Sequence, residues 1–254
     1  MDGIKGVLLC GGEGTRLRPM TEVINKHMVR VHELPMAEYP LRKMIEAGVK
    51  DILIVSGGEN FAAVVKYFGS GKKWGINITH AIQDRAGGIA QALGLAENFV
   101  GNSKALVCLG DNIWNMNIRE HVEEFVSLPS GRAFLFVIKS TTPERFGVMC
   151  WDDTENIPIE IIEKPKHYIS NDIVSGIYLY GPEVFKKIKT LKPSGRGELE
   201  ITDVNNYYVK SGLIRVVPMT GYWSDCGTMD TLLKAEELIK NDRLIPAVCT
   251  KDSH

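Results

Sequence analysis

The sequence VLLCGGEGTR, at residues 7–16, is the stretch that decides the fold. Its first four residues are apolar, and a short apolar run that ends at glycines is typical of a buried strand. The glycines let backbone N–H groups approach an anion, and Arg16 adds a planar set of donors suited to phosphate. The alternative is a tight turn beside a surface arginine. The stretch favours a strand followed by a phosphate-binding loop.

Further apolar runs recur along the first half of the chain, and stretches of helical length lie between them. We predict strands at 52–55, 105–109, 133–138 and 173–180, and helices at 36–47, 60–68, 89–99 and 118–126. Strands that alternate with helices of this length indicate a mainly parallel sheet that is covered on both faces.

After about residue 140 the pattern changes to short apolar segments separated by turn residues. Here we predict strands at 147–149, 157–162 and 213–217, and helices at 182–191, 198–211 and 229–242. Such segments are typical of antiparallel strands and helices laid over the parallel half of an α/β protein. The sequence therefore predicts one α/β domain over residues 1–254.

The composition excludes several classes of protein. Hydrophobic residues make up 44% of the chain and charged residues 24%, which is ordinary globular usage, so a disordered or fibrous protein is excluded. The net charge of -1 argues against a general nucleic-acid binder. The five cysteines are scattered without a C-x-x-C pair, so we expect reduced, mostly buried thiols rather than disulfides or a zinc site.

Targeting signals are not evident in the sequence. The N-terminus has no apolar stretch long enough for a signal peptide, and the longest apolar run, residues 133–138, is too short to cross a bilayer. We therefore expect a cytoplasmic protein that acts on small molecules, with no nucleic-acid or membrane partner and with homo-oligomers left open.

Two aspartates are candidate ligands of a magnesium ion. Asp111 follows the predicted strand at 105–109, and Asp225 lies just before the final helix. Mg²⁺ prefers one or two carboxylates together with phosphate oxygens, so a pair of aspartates beside a phosphate loop would suit it. An aspartate after a strand is equally common as a turn or helix-capping residue, and this alternative stays open. The role of Glu163 and Lys164 is left open in the same way, since both can also be ordinary charged residues in contact with water.

Taken in order, the motifs of the chain resemble those of the sugar-1-phosphate nucleotidylyltransferases, and the likeness runs from about residue 4 to residue 240. The closest likeness is to short members that use dTTP and glucose 1-phosphate. The motifs are GGEGTRLRP (11–19), Lys26, Pro35-Met36, GIN (75–77), Gln83, GGIAQA (87–92), LGDN (109–112), PERFGV (143–148), EKP (163–165), GIY (176–178), RGELEITD (196–203) and DCGT (225–228).

The resemblance implies a fold and a reaction. The fold is a Rossmann-like, mainly parallel sheet flanked by helices, with an inserted antiparallel portion that binds the sugar. The nucleotide-binding half would be about 1–140, the sugar-phosphate-binding half about 141–228, and the C-terminal helix and tail 229–254. The reaction transfers a nucleotidyl group from dTTP to glucose 1-phosphate and gives dTDP-glucose and pyrophosphate, with Mg²⁺ as cofactor. Use of UTP, or a degenerate homologue that only binds nucleotide sugars, is the alternative.

The resemblance also implies roles for individual residues. The catalytic groups would be Arg16, Lys26, Asp111, Lys164 and Asp225, and the two aspartates would bind the metal. The nucleotide would contact Leu8, Gly11, Gly14, Thr15, Arg16, Gln83 and Gly88. The sugar phosphate would contact Asn112, Gly147, Glu163, Lys164, Val174 and Arg196.

The chemistry of the implied reaction agrees with these residue types. A phosphate monoester has its second pKa at about 6, so the attacking oxygen is already ionised and needs no general base. The reaction needs positioning and charge stabilisation as two anions meet, which cations and a metal ion supply. We therefore expect direct in-line displacement.

The segment after Lys26 departs from the family pattern. Lys26 is followed by His27-Met28-Val29-Arg30, where relatives have two apolar residues and a proline. The loss of that proline would alter how rigidly Lys26 is presented.

Overall fold

The first strand of the chain is buried inside the main sheet, between β6 and β4, and it confirms the strand that the opening stretch predicted. The computed structural model describes residues 1–57, 61–152, 154 and 157–242. In chain order its strands are β1 (Ile4–Cys10), β2 (Arg30–Val31), β3 (Leu34–Pro35), β4 (Asp51–Gly57), β5 (Asn77–Gln83), β6 (Lys104–Leu109), β7 (Asn112–Trp114), β8 (Ala133–Lys139), β9 (Gly147–Trp151), β10 (Pro158–Glu163), β11 (Asp172–Tyr180), β12 (Ile214–Pro218) and β13 (Trp223–Asp225). Its helices are α1 (Glu38–Glu46), α2 (Phe61–Phe68), α3 (Ile89–Gly94), α4 (Glu97–Val100), α5 (Arg119–Ser127), α6 (Val184–Ile188), α7 (Ile201–Lys210) and α8 (Met229–Asn241).

The parallel part of the sheet carries the loops that matter for function. β1 pairs in parallel with β4 on one side and with β6 on the other, and β5 lies parallel to β4. The carboxyl ends of these four strands therefore point to the same edge of the sheet. In open α/β sheets this edge is where ligands bind.

Strand β11 joins the parallel part to the antiparallel portion. It runs antiparallel to β6 and β8, and β12 continues the sheet in parallel beyond β8. The first residues of β11 lie between β8 and β9, with Ile173 opposite Val148, whereas residues 177–180 lie between β8 and β6. β9 and β10 form an antiparallel pair at this end. The predicted α/β class with an antiparallel portion is confirmed by this topology.

Helices cover both faces of the sheet, as the alternation of strands and helices predicted. Apolar side chains of α1, α2 and α5 pack on one face, and those of α3, α6 and α7 pack on the other. A third, smaller core holds α8 against the segment after the glycine loop, with Leu17 and Val31 facing Leu232 and Ile239. This third core fixes the segment that carries Lys26 against the last helix.

Several elements differ from the sequence prediction. The predicted helix at 89–99 is split into α3 and α4, because Leu95 and Ala96 donate to carbonyl oxygens three residues earlier and break the α-helical pattern. The predicted helices at 36–47 and 198–211 begin only at Glu38 and Ile201. Strand β5 was missed because its buried and exposed positions are mixed along an edge strand, which leaves no continuous apolar run. The short strands β2, β3, β7 and β13 were also missed.

Three further expectations concern cysteines, the membrane and the chain end. Of the described cysteines, Cys10, Cys108 and Cys226 are buried and Cys150 is half-buried, and all are free thiols. No helix among the described residues combines the length and apolar character of a membrane span. Cys249, the predicted start of a helix at residue 60 and the tail after residue 242 lie outside the described residues.

Candidate active site

Several clefts open at the carboxyl edge of the parallel strands, and two of them meet at Asp111. The first cleft, of about 230 Å³, is lined by Leu9, Gly11, Gly12, Lys26, His27, Gln83, Ala86, Gly88, Ile89, Ala92, Leu109, Asp111 and Glu198. The second cleft, of about 170 Å³, is lined by Arg16, Ile89, Leu109, Asp111, Asn112, Arg145, Phe146, Gly147, Glu163, Lys164, Val174, Ser175, Gly176, Tyr178, Ile201, Thr202, Asn205, Trp223 and Asp225. Ile89, Leu109 and Asp111 line both. A charged group that faces two clefts can act on a bond formed between their occupants.

The glycine loop packs directly on Gln83 at the end of β5. A Cβ atom on Gly11 would lie 1.9 Å from Gln83 Oε1, so any side chain at position 11 would displace that amide. Gln83 Nε2 donates to the carbonyl oxygen of Gly88 (3.3 Å) and to Gln91 Oε1 (2.5 Å). Gly14 has a φ of 69°, and a Cβ there would lie 2.9 Å from Lys26 Cβ. The loop, Gln83 and Gly88 thus form one wall of the first cleft.

Lys26 lies on a short 3-10 turn whose buried residues are fixed by hydrogen bonds. The Asn25 side chain accepts from the backbone N–H of His27 (2.9 Å), and the backbone N–H of Ala37 donates to the His27 carbonyl (3.0 Å). The Lys26 ammonium forms an ion pair with Asp111. Burial, and after it the positive charge of Lys26, lowers the pKa of His27 to about 3, so this imidazole is neutral. The segment without the family's proline is therefore held by capping and by the start of α1.

The two aspartates are brought together by the ribbon of β7 and β13. Asn112 and Asp225 are paired residues across this ribbon, and the backbone N–H of Cys226 donates to the Asp111 carbonyl (2.8 Å). Asn112 Nδ2 donates to Asp111 Oδ1 (2.8 Å), and Asn112 Oδ1 accepts from Trp223 Nε1 (2.7 Å). Residues from distant parts of the sequence therefore fix both carboxylates.

The two carboxylates have opposite electrostatic surroundings. Burial opposes ionisation of Asp111, but the Lys26 ammonium and further groups outweigh it, so its pKa lies below the ordinary value. Burial, followed by repulsion from Asp111, raises the pKa of Asp225 to about 6. Arg145 Nη2, 3.0 Å from Asp225 Oδ2, offsets only part of this effect. The ribbon of β7 and β13 thus brings both carboxylates to the wall of the second cleft.

Their chemistry fits magnesium. Carboxylate oxygens are the hard ligands that Mg²⁺ takes, and it usually completes its shell with water and phosphate oxygens. Among residues 1–57, 61–152, 154 and 157–242, no group of three or more His, Cys, Asp or Glu side chains is arranged to hold a metal. A metal at Asp111 and Asp225 would thus depend on further oxygens from a bound ligand or from water.

The second cleft carries the residues expected at the sugar phosphate. Glu163 Oε2 accepts from Thr202 Oγ1 (2.6 Å), and Lys164 Nζ lies 3.6 Å from Glu163 Oε1. Lys164 has a φ of 45°, and its backbone N–H donates to the Phe146 carbonyl (2.9 Å). Gly147 and Val174 complete this part of the wall. Glu163 and Lys164, which are predicted to contact a sugar phosphate, therefore both line a cleft.

Four predicted site residues lie outside the linings of both clefts. Leu8 is fully buried in the core, so its side chain faces no ligand and it can act only through the strand that carries the loop. Gly14 and Thr15 stand in the loop itself, at the start of a 3-10 turn. Arg196 Nη2 pairs with Glu200 Oε2 (2.8 Å) and lies 3.5 Å from Glu163 Oε1, at the rim of the second cleft.

Comparison with known proteins decides the family. Residues 5–242 match the family model described as Nucleotidyl transferase. The chain belongs to the nucleotidyl transferase family.

Relatives of this nucleotidyltransferase carry one recurring name. This chain is 36% identical over 240 residues to a glucose-1-phosphate thymidylyltransferase of Neisseria gonorrhoeae. The matched residues cover 93% of this chain and 83% of the relative. The chain is 37% identical over 238 residues to a protein of that name from Xanthomonas campestris pv. campestris, covering 93% and 80%. The predicted family and enzyme class are therefore confirmed.

Solved structures agree with the fold. A structure described as a putative glucose-1-phosphate thymidylyltransferase from Bacillus anthracis in complex with a sucrose superimposes with a TM-score of 0.88 at 47% identity, covering 94% of this chain and 96% of that one. A UDP-glucose pyrophosphorylase superimposes with a TM-score of 0.82 at 22% identity, which supports the fold alone.

Sequence reasoning assigned no role to several groups of the nucleotidyltransferase site. Arg145 bonds to Asp225, Trp223 bonds to Asn112, and His27 and Thr202 line the clefts. Arg145 and Thr202 stand inside the motifs at 143–148 and 196–203, so motif membership was a signal. The contacts themselves join residues far apart in sequence and leave no local pattern.

Substitution of Gly11 tests the first cleft. In Gly11→Ala the new methyl group must displace the Gln83 amide, so we expect the KM for the nucleoside triphosphate to rise about tenfold, the cost of about one hydrogen bond. Steady-state kinetics measures this. Gly94→Ala is the matched control, because a Cβ there meets only Ile188 Cγ2 at an ordinary 3.4 Å. An unchanged KM in Gly11→Ala would mean that Gln83 does not contact the nucleotide.

Substitution of Asp225 tests the electrostatic cost of the site. The pKa of Asp225 is about 6 in the folded protein and about 3.9 in an unfolded chain, so Asp225 ionises first in the unfolded chain as pH rises. The folded protein therefore loses stability, relative to its value at low pH, between about pH 4 and 6. Asp225→Asn does not titrate, so it should be more stable than wild type at pH 7.5 by about 1–2 kcal/mol.

Urea unfolding at pH 4 and pH 7.5 in metal-free buffer measures this difference. The gain should shrink towards zero at pH 4. A variant that is equally or less stable than wild type at pH 7.5 would contradict the assigned electrostatic cost.

Proposed function

We propose that this nucleotidyltransferase transfers a thymidylyl group from dTTP to glucose 1-phosphate and releases dTDP-glucose and pyrophosphate. The observation that carries the proposal is Asp111, which lines the first cleft beside Gln83 and Gly11 and the second cleft beside Lys164. A nucleotide in the first cleft and a sugar phosphate in the second would meet at this carboxylate. The names of the relatives supply the identity of the two substrates.

The proposed mechanism is in-line displacement at the α-phosphorus. The phosphate oxygen of the sugar is already ionised, so the protein has to bring two anions together rather than remove a proton. Lys26 stands in the first cleft, Arg16 and Lys164 stand in the second, and Arg196 lies at its rim. These cations would neutralise the substrate phosphates and the departing pyrophosphate.

Magnesium would be held by Asp111 and Asp225. When bound, it would supply positive charge to the phosphate oxygens, which is the usual contribution of this ion to phosphate chemistry. Lys26 and the backbone of the glycine loop would orient the triphosphate, while Asn112, Glu163 and Val174 would position the sugar. Gln83 and Gly88 would contact the pyrimidine edge of the base.

A binding-only homologue is the second candidate, because the segment after Lys26 departs from the family pattern. The structure gives this candidate little support. Asn25 and the start of α1 hold the segment, and Lys26 reaches Asp111. A protein that only senses nucleotide sugars has little need for two metal-binding carboxylates.

Pyrophosphate release from a matrix of nucleoside triphosphates and sugar 1-phosphates tests the proposed function. We expect the highest kcat/KM with dTTP and glucose 1-phosphate. Uracil offers the same hydrogen-bonding edge as thymine and lacks one methyl group, so UTP should be about tenfold worse. CTP and the purine nucleotides should be poor. A preference for UTP would move the enzyme to the uridylyl-transferring class, and no release with any pair would support the binding-only candidate.

The assignment of the metal is tested by Asp111→Asn. The amide keeps the size of the side chain but loses the charge that holds the ion, so we expect kcat to fall at least about 100-fold, as when a group that stabilises transition-state charge is removed. Asp51→Asn is the control, since Asp51 stands at the amino end of β4, away from both clefts, and its carboxylate accepts a bond from Asn77 Nδ2 (2.8 Å). Normal turnover of Asp111→Asn, or of wild type in EDTA, would contradict the assignment.

A further inference from the structure

Both candidate metal carboxylates are already paired with side-chain cations of this chain. Asp111 pairs with the Lys26 ammonium, and Asp225 Oδ2 accepts from Arg145 Nη2 at 3.0 Å. The second pair is partly shielded from solvent, with 26% of the Arg145 side chain and 13% of the Asp225 side chain exposed. Arg145 has no role in the mechanism above, although it lines the second cleft.

A metal ion bound at Asp225 would compete with the Arg145 guanidinium for this carboxylate. Both need lone pairs of the same carboxylate, and two positive groups on one carboxylate repel each other. Positive charge is already concentrated here, since the position that a Cβ on Gly227 would take lies 2.8 Å from Asp225 Oδ2, 3.5 Å from Arg16 Nη2 and 3.7 Å from Arg145 Nη2. A divalent ion at Asp225 would therefore weaken the bond to Arg145.

The surroundings of Arg145 allow its guanidinium to turn while its backbone stays in place. Arg145 ends a 3-10 turn, and the next residue, Phe146, packs edge-on against Trp223 with ring centroids 5.5 Å apart. The Phe146 carbonyl accepts from the Lys164 backbone. Arg145 is thus anchored beside Lys164, and a released guanidinium would remain in the second cleft.

We propose that magnesium binding at Asp225 transfers Arg145 from this carboxylate to the phosphate of the sugar 1-phosphate. The proposal rests on the proposed function, which places a sugar phosphate in the second cleft. Arg145 is a positioning residue for Asp225 in the metal-free protein and becomes a second phosphate cation beside Lys164 when the metal is present. Because coupling between two ligands is reciprocal, magnesium and the sugar phosphate must then increase each other's affinity.

The first arm of the test measures magnesium binding to the substrate-free protein by isothermal titration calorimetry. Arg145→Met removes the competing cation, so it should bind Mg²⁺ about three- to tenfold more tightly than wild type, which corresponds to roughly 0.7 to 1.4 kcal/mol. Arg145→Lys keeps a cation and should stay closer to wild type. The control is Arg215→Met. Arg215 lies on β12, outside both clefts, and pairs with Glu124 of α5, so its removal should leave the affinity for Mg²⁺ unchanged.

The second arm measures glucose 1-phosphate binding with and without Mg²⁺. Wild type should bind the sugar phosphate several-fold more tightly with the metal, and Arg145→Met should lose most of this enhancement. If Arg145 had a merely structural role, Arg145→Met would bind both Mg²⁺ and glucose 1-phosphate more weakly. The exchange predicts instead that this variant binds Mg²⁺ more tightly and the sugar phosphate more weakly.

Two results would overturn the exchange. One is unchanged or weaker Mg²⁺ binding by Arg145→Met when its circular dichroism and melting temperature match those of wild type. The other is full magnesium enhancement of sugar-phosphate binding in that variant. The two proposals fail separately. Absence of pyrophosphate release from wild type would overturn the proposed function. The magnesium titration contains no substrate, so it would still decide whether Arg145 and the metal compete for Asp225.

Discussion

Two carboxylates held close together inside the protein are the constraint on which the rest of the site depends. Burial and mutual repulsion both disfavour this arrangement, as the raised pKa of Asp225 shows. Lys26, Arg145 and Arg16 offset part of the cost because their positive charges act on the same carboxyl. The fold must therefore deliver three cations and two anions to one edge of the sheet, and it does so from five separate segments of the chain.

The parallel strands β1, β4 and β6 were predictable because their apolar runs and following glycines are local signals. The glycine loop and Asp111 were placed at one edge for the same reason, since carboxyl ends of neighbouring parallel strands share an edge, whereas Gln83 was assigned to the nucleotide only through the family resemblance. The edge strand β5 escaped prediction because polar residues such as Thr79 and His80 interrupt its apolar side chains, as is ordinary on a strand with one neighbour. The split between α3 and α4 escaped it because the apolar spacing continues across the break.

The ion pairs of the site were beyond sequence reasoning. Lys26 and Asp111 are 85 positions apart, and Arg145 and Asp225 are 80 apart, so no local pattern records which cation faces which carboxylate. The family resemblance gave a role to Lys26 but none to Arg145. The loss of the proline after Lys26 raised doubt about rigidity, and only the structure reveals the Asn25 cap and the bond from Ala37 that hold the turn.

The ribbon of β7 and β13 has a consequence for how the enzyme is made. It joins segments that leave the ribosome far apart in time, since the Trp223 side chain bonds to Asn112 across 111 positions. The glycine loop, β4, β5 and β6 can pair while the chain is still growing, because their contacts lie within the first part of the sequence. The second carboxylate joins the first only after β13 has been synthesised. Because proteins are synthesised from the amino end, the site receives Asp225 last, after the glycine loop and the four parallel strands have already left the ribosome.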